Sequence, residues 1–267
     1  MIKELLNTIK KCLSFLGINP LIFYRNIREI FPYLISFAKF IRSKGKNNSP
    51  IIDSNNIKPM LMLQDKNKES HSFEKHYTQL DLHVARLIFD SGVKEHLDIG
   101  SSLVFIGHLS SFLNKVYCGD IRLNNFYLPR VSGLLFDLTD DSKEILNGKK
   151  FNSISCLHVI EHIGLGRYGD NISYHGDKKA IRNLSRLLSK NGKLYLAVPS
   201  GKECIYFNAH RVYDPENLVN YLSNFFKILK IDFIDDKDYL NENLMPKKLY
   251  KFKNQSYGLI ILTLTTK

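Results

Sequence analysis

His96-Leu97-Asp98-Ile99-Gly100-Ser101-Ser102 is the stretch that decides the fold of this chain. A short apolar run carries an acid near its end and breaks into a turn at Gly100. Lys115-Val116-Tyr117-Cys118-Gly119-Asp120 repeats the pattern, a second strand closed by a second acid. A glycine turn after one strand, with a carboxylate closing the next, is how an α/β domain holds a nucleoside. The turn lets the ligand approach the backbone, and the acid takes the ribose hydroxyls. A pyrophosphate cradle wants Gly-x-Gly-x-x-Gly at the first turn. Here one glycine is followed by serines and then by Gly107. The pattern fits a nucleoside without phosphates, and S-adenosylmethionine is the expected cofactor.

Outward from this stretch, helices and strands alternate. Upstream, Leu80, Val84, Leu87 and Ile88 share one face of a helix expected over 78–91, ended by Gly92. Downstream, strands are expected over 133–137, 153–159 and 193–199. Helices are expected over 177–189, stopped by Asn191-Gly192, and from the Asp214-Pro215-Glu216 cap to Phe225. Two last strands, 226–234 and 257–265, leave little room for a helix between them and are expected as antiparallel neighbours. The fold class is α/β: a Rossmann-like, seven-stranded, mostly parallel sheet with helices on both faces and the last strand antiparallel. An N-terminal helical appendage precedes it. Turn chemistry at Lys44-Gly45-Lys46-Asn47-Asn48-Ser49-Pro50 divides the chain into an appendage with its linker, 1–58, and a main domain, 59–267.

The 267 residues, 44% hydrophobic and 24% charged, are enough to bury a substantial core. Four scattered cysteines without a Cys-x-x-Cys argue against a disulfide framework or a cysteine zinc site and fit a reducing cytoplasm. Lys10 and Lys11 interrupt the only apolar region that could serve as a secretory signal, and no run reaches the roughly 18 apolar residues of a membrane span. The net charge is +12, and residues 1–50 hold nine Lys/Arg against Glu4 and Glu29. From Phe23 to Ile41 the apolar positions fall near one helical face, with Arg25, Arg28, Lys39 and Arg42 on the remainder. Two readings stay open for residues 1–45: a segment lying on an anionic membrane surface, or helices packed on the core or on a second subunit of a homo-oligomer. Pro32 is expected to start or kink a helix. No aromatic-basic interleaving supports a nucleic-acid partner.

In such a sheet the ligand lies beyond the carboxyl ends of the strands. Gly100 and Ser102 are expected along the methionine part of the cofactor, Asp120 at the ribose and Asp137 at the adenine, with Asp98, Ile121 and His158 completing that wall. His158-Val159-Ile160-Glu161-His162 matches the His-x-x-Glu-His pattern of inverted zinc peptidases. That pattern needs a helix; on a strand the two imidazoles would lie ~13 Å apart. No metal is expected, and metal-dependent hydrolysis through His158, Glu161 and His162 stands as an alternative. A binding module that kept the fold without chemistry is a second alternative. The loop Gly164-Leu165-Gly166-Arg167-Tyr168-Gly169-Asp170 reads as substrate recognition, Arg167 for an anionic group and Tyr168 for a sugar face, with Asp170 beside them. A second polar cluster brings Asn208, His210, Arg211 and Tyr213. His210 or His162 is expected to take the proton from an acceptor hydroxyl, with Glu161 beside His162.

These segments, with Gly119-Asp120-Ile121-Arg122, Gly192 and Val198-Pro199-Ser200-Gly201, resemble the family catalogued as domain of unknown function 268, over about residues 71 to 234. More broadly the chain is similar to class I S-adenosylmethionine-dependent methyltransferases, although those usually carry further glycines where Ser102 and Val104 stand. The resemblance implies S-adenosylmethionine as cofactor and, because family members often sit among bacterial surface-polysaccharide genes, a sugar, nucleotide-sugar or lipid-linked glycan as acceptor, methylated on oxygen. The cysteine usage points to a cytoplasmic protein, peripheral on the inner face of the cytoplasmic membrane if residues 1–45 lie on lipid.

Overall fold

A computed structural model describes residues 13–15, 17, 19–43, 75–122, 127–140, 145–206 and 209–267. The chain forms two compact units, Met1–Phe73 and Glu74–Lys267. In the first, α1 (Pro20–Ser43) runs straight through Pro32 instead of starting there. Continuing the helix keeps Phe23, Ile27, Phe31 and Leu34 on one side, and all four are exposed. No described helix is long and apolar enough to cross a membrane. The expected linker beyond Ser43 lies outside the described residues.

The second unit opens with α2 (Lys75–Asp90), then β1 (Glu95–Ile99), α3 (Leu103–Phe112), β2 (Lys115–Asp120), β3 (Val131–Leu135) and β4 (Phe151–Leu157). It continues with α4 (Gly176–Leu187), β5 (Leu188–Ser200), β6 (Cys204–Tyr206), β7 (His210–Val212) and α5 (Pro215–Leu222). It closes with β8 (Phe226–Ile234), β9 (Leu240–Asn241), a 3-10 helix (Pro246–Phe252) and β10 (Gly258–Thr266). The main sheet has the order β3-β2-β1-β4-β5-β10-β8-β9. β1 to β5 pair in parallel, and β10 runs antiparallel between β5 and β8. The sheet thus has eight strands where seven were expected, because the two-residue β9 pairs with the outer edge of β8.

Other departures have local causes. Asn191-Gly192 does not stop α4; the helix ends at Leu187, and the pair sits inside the irregular start of β5, with Asn191 at φ +62°. β3 begins and ends two residues earlier than expected, which leaves Phe136 and Asp137 beyond its end. The polar stretch after β5 is partly regular: β6 and β7 form an antiparallel hairpin.

Strand alternation sends successive side chains to opposite faces. One face packs Leu97, Ile154, Leu196 and Ile260 against α4, α5 and the 3-10 helix. The other packs Val116, Tyr195 and Ile261 against α2 and α3. α2 is fastened to this second face by two side-chain hydrogen bonds. His83 Nε2 lies 2.8 Å from Asp232 Oδ2 on β8, and Tyr195 Oη donates to the Leu87 carbonyl at 3.2 Å. Lys230 Nζ, 3.0 Å from the same Asp232 oxygen and 2.9 Å from Glu242, completes that buried contact.

Candidate active site

Reversal of strand order at β1, between β2 and β4, opens a crevice beyond the carboxyl ends of these strands. It holds an open cleft with a cavity volume of about 170 Å³. Gly100 forms its floor. The residue sits at φ +64°, its N–H donates to the Gly119 carbonyl at 2.9 Å, and a Cβ there would lie 3.1 Å from Val159 Cγ2. Both the backbone angle and the space therefore call for glycine. Asp120, at the end of β2, lines the cleft and accepts from the Arg122 N–H at 2.7 Å. Asp137, one strand further out, turns back on its own loop, with Oδ1 accepting from Thr139 N and Oγ1 at 2.7 Å each. Phe136 and Leu138 flank it in the wall.

Asp98 does not line the cleft. It is fully buried beneath the turn and holds it from below, accepting from Ser101 N at 3.1 Å, Ser101 Oγ at 2.7 Å and Ser155 Oγ at 2.5 Å. Burial raises its carboxyl to about 6. Ser155 has one hydroxyl hydrogen, given to Asp98, so its oxygen accepts from His96 Nε2 at 2.7 Å. That fixes the tautomer, and His96 Nδ1 accepts from Ser153 Oγ at 2.6 Å. Every member of this buried chain is paired, and desolvation holds His96 neutral, with its pKa lowered to about 3.

Ser102 is likewise absent from the cleft wall: it is the N-cap of α3, accepting from Phe105 N at 3.1 Å. Its hydroxyl donates to Asp81 Oδ2 of α2 at 3.0 Å. Asp81 is only 8% exposed, and burial raises its carboxyl above the usual range. An ionised Asp81 beside the α3 N-terminus opposes a phosphate there by like-charge repulsion.

On the far side of Gly100, His158 follows β4 with its backbone at φ +55°, a costly conformation for a non-glycine residue, of order ~1–3 kcal/mol. Its Nδ1 is 2.9 Å from Oε1 of Glu161, which is fully buried. His162 Nε2 is 3.7 Å from the same oxygen, and His162 Nδ1 donates to the Ala209 carbonyl at 2.6 Å. Residues 158–162 form a turn, not a helix. Among the described residues, the three potential ligands whose donor atoms lie within 4.8 Å of one another are His83, Asp232 and Glu242, not these, and Lys230 already supplies the cation there.

Asp170 lines the cleft, and its carboxylate also folds the recognition loop, accepting from Gly164 N at 2.7 Å, Gly166 N at 3.3 Å and Tyr168 N at 3.2 Å. Tyr168 stands edge-on to His162 with ring centres 5.4 Å apart, between the guanidinium groups of Arg122 and Arg167 at 4.5 and 5.1 Å. Arg167 also donates to the Ala209 carbonyl at 3.2 Å. Arg211 is placed differently from expectation. It is 4% exposed, and its guanidinium donates to the carbonyls of Glu161, Ile163, Ser173 and Tyr174, tying the loop to the hairpin. Tyr213 donates to Asp177 at 3.2 Å and, like Arg211, faces a separate cleft beside α4. His210 stands outside the main cleft wall, 5.1 Å from Tyr257. Asn208 lies outside the described residues.

Of the expected residues, Gly100, Asp120, Ile121, Asp137, His158, His162, Tyr168 and Asp170 meet in one cleft. Sequence reasoning missed Arg122 and Phe136, which the end of β2 and the early end of β3 place there, and the start of α2. Tyr77 packs 4.7 Å from the His158 ring, and His76 lies 5.9 Å from it. No local signal in the sequence marks His76, Tyr77 or Asp81, because only the docking of α2 brings them to the site.

Strand order, closing antiparallel strand and cleft together define a Rossmann-like α/β domain with a cleft at the point where the strand order reverses. The chain belongs to the family described as "Caenorhabditis protein of unknown function, DUF268", whose model matches residues 115–263. A search of curated proteins finds no similar sequence. Among solved structures the chain is similar to the N-methyltransferase NodS from Bradyrhizobium japonicum WM9 in complex with S-adenosylhomocysteine, with 12% identity and TM-score 0.49, covering 71% of this chain and 86% of that one. It is also similar to the 1,6-didemethyltoxoflavin-N1-methyltransferase of Burkholderia thailandensis, with 12% identity and TM-score 0.49, covering 73% and 80% of the two chains. A third is a putative methyltransferase from Bacillus halodurans C-125, with 13% identity, TM-score 0.46 and coverage of 69% and 99%. At these identities nothing about ligand or substrate follows.

Proposed function

We propose that the protein is an S-adenosylmethionine-dependent methyltransferase that methylates a hydroxyl of a sugar, nucleotide-sugar or lipid-linked glycan. The observation that carries this reading is the cleft itself, with an acid at the end of β2 and a single-glycine floor; outside its wall, Ser102 caps α3 and hydrogen-bonds Asp81. Across the strand ends, Asp137 would meet the adenine, Asp120 the ribose hydroxyls, and Gly100 with Asp81 the methionine end. When bound, S-adenosylmethionine supplies an electrophilic methyl group, whose bond to sulfur breaks with both electrons going to sulfur as an acceptor lone pair forms the new bond. The protein's part is then positioning and proton removal. Tyr168, set between two arginines at the mouth, supports a sugar acceptor carrying an anionic group.

Calorimetric titration with S-adenosylhomocysteine tests the cofactor. Micromolar binding, lost in Asp120→Ala, is expected; no binding to well-folded protein would sink the assignment. Transfer of labelled methyl to a panel of sugars, nucleotide-sugars and lipid-linked glycans tests the acceptor, and a product labelled only on nitrogen would refute O-methylation. The exposed apolar side of α1 and the basic excess of residues 1–50 support work at the inner face of the cytoplasmic membrane. Co-sedimentation with anionic but not neutral vesicles is the expected result.

A further inference from the structure

We propose that Glu161 and His158 form the proton-accepting pair of the transfer, with His158 Nε2 removing the proton from the acceptor hydroxyl; this rests on the methyltransferase reading above. A carboxylate oxygen only accepts, so the 2.9 Å contact with Glu161 Oε1 places a hydrogen on His158 Nδ1 and leaves Nε2 bare in the neutral ring. That nitrogen is buried and has no partner among the described residues, and the same is true of Glu161 Oε2. Buried polar atoms nearly always have a partner, and an unpaired one on a cleft wall is a place for a ligand's donor. His158 also holds a left-handed backbone, which aims its ring back at Glu161.

The three other imidazoles nearby fit the role less well. His76 Nε2 is also buried without a partner among the described residues, but His76 does not line the cleft. His162 turns Nδ1 to the Ala209 carbonyl and Nε2 to Glu161, so both nitrogens face protein. His210 stands outside the cleft wall. Around His158 the charged and titratable neighbours are Asp81, His76 and Tyr77 from α2, Glu161 and His162 on its own turn, and His210 from β7. As the acceptor oxygen gives its lone pair to carbon, its proton passes to Nε2. The imidazolium that results is balanced by Glu161, and sulfur leaves neutral. The proton returns to water when product departs.

The test is imidazole nitrogen NMR on the full chain with S-adenosylhomocysteine bound, the His158 signal being assigned by its loss in His158→Asn, a residue that accepts positive φ. The expected result is a neutral ring fixed as the Nδ1–H tautomer in wild type and a mixture of tautomers in Glu161→Gln, whose amide can donate as well as accept. S-adenosylhomocysteine affinity in that variant should stay within about twofold of wild type, since the pair faces the acceptor. A neutral Nε2–H ring in wild type, or an unchanged single tautomer in Glu161→Gln, overturns the pair alone. Failure of the wild type to bind S-adenosylhomocysteine overturns the methyltransferase reading with it. Should Glu161→Gln not fold, the wild-type tautomer decides by itself.

Discussion

Asp81→Asn separates the cofactor's two ends. In the structure Asp81 is almost fully buried, yet the hydrogen bond it accepts comes from the neutral Ser102 hydroxyl, and burial raises its carboxyl above the usual range. An ionised Asp81 is therefore poorly stabilised until a cation arrives, and the amino group at the methionine end of the cofactor is one. A hydrogen bond to a charged group contributes about 1.5–3 kcal/mol, which is roughly a 10- to 150-fold change in Kd. Asparagine keeps an oxygen for Ser102, so the α3 cap survives. The assay is calorimetric titration of wild type and Asp81→Asn with S-adenosylhomocysteine and with 5′-methylthioadenosine, which lacks the amino-acid end. S-adenosylhomocysteine should weaken by about 10- to 100-fold and 5′-methylthioadenosine by less than about twofold. The ligand-free protein should move the other way. A carboxyl whose folded pKa is raised supports the fold fully below its unfolded value, and that support is lost as pH rises through the folded value. At neutral pH the asparagine removes this penalty, so the ligand-free Tm of Asp81→Asn should match or exceed wild type. Equal weakening of both ligands would mean general damage to the cleft, and unchanged S-adenosylhomocysteine binding would refute the reasoning outright.

The same sign applies to Asp98, raised from 3.8 to about 6 by burial. Its contribution, about 3 kcal/mol, is complete below about pH 4 and lost as pH rises through about 6, so Asp98→Asn should flatten the dependence of urea stability on pH in that window; parallel curves for the two proteins would disprove this. Gly100→Ala forces a Cβ to 3.1 Å from Val159 at φ +64° and should cost about 1–2 kcal/mol in urea unfolding, together with ligand binding. Asp232→Ala strips the partner from His83, Lys230 and the Asn243 N–H in one buried contact and should cost about 3–5 kcal/mol by the same measurement. Elemental analysis of purified protein should find no stoichiometric zinc, because His158, Glu161 and His162 do not converge on one point; bound zinc whose removal lowers Tm would restore the hydrolase reading.

Legibility in this chain follows which forces act locally. The alternation of strands and helices came through because apolar runs, glycine turns and acids near strand ends repeat at short range, and part of the cleft wall came with it: Gly100 follows β1, Asp120 closes β2 and Asp137 lies two residues beyond β3. Strand ends were harder to place. Asn191-Gly192 reads as a helix stop, yet the pairing of β4 with β5 recruits the pair into a strand, and the ladder outweighs the local turn preference. Polar residues were legible in type but not in role. Asp98 and Ser102 look like ligand contacts and are instead the supports of the turn: burial obliges Asp98 to find protein partners, while Ser102, exposed, is taken up as the N-cap of α3. Arg211 looks like an anion clamp, but its planar fork meets four carbonyls where loop and hairpin cross. Asp81, His76 and Tyr77 gave no signal, because their place depends on the docking of α2, which is set by contacts as distant in sequence as His83 with Asp232. The two sheet faces share this burden unequally. The α4 and α5 face is packed mainly by apolar side chains, with Asp177 and Asn183 buried on α4, while the α2 and α3 face carries His96, Asp98, Ser153, Ser155, Asp81 and Asp232, all buried. A polar layer of that kind is tolerated only when every member is paired. Its pairing beneath Gly100 is what makes the atoms left unpaired beside it, Nε2 of His158 and Oε2 of Glu161, the place to look for chemistry.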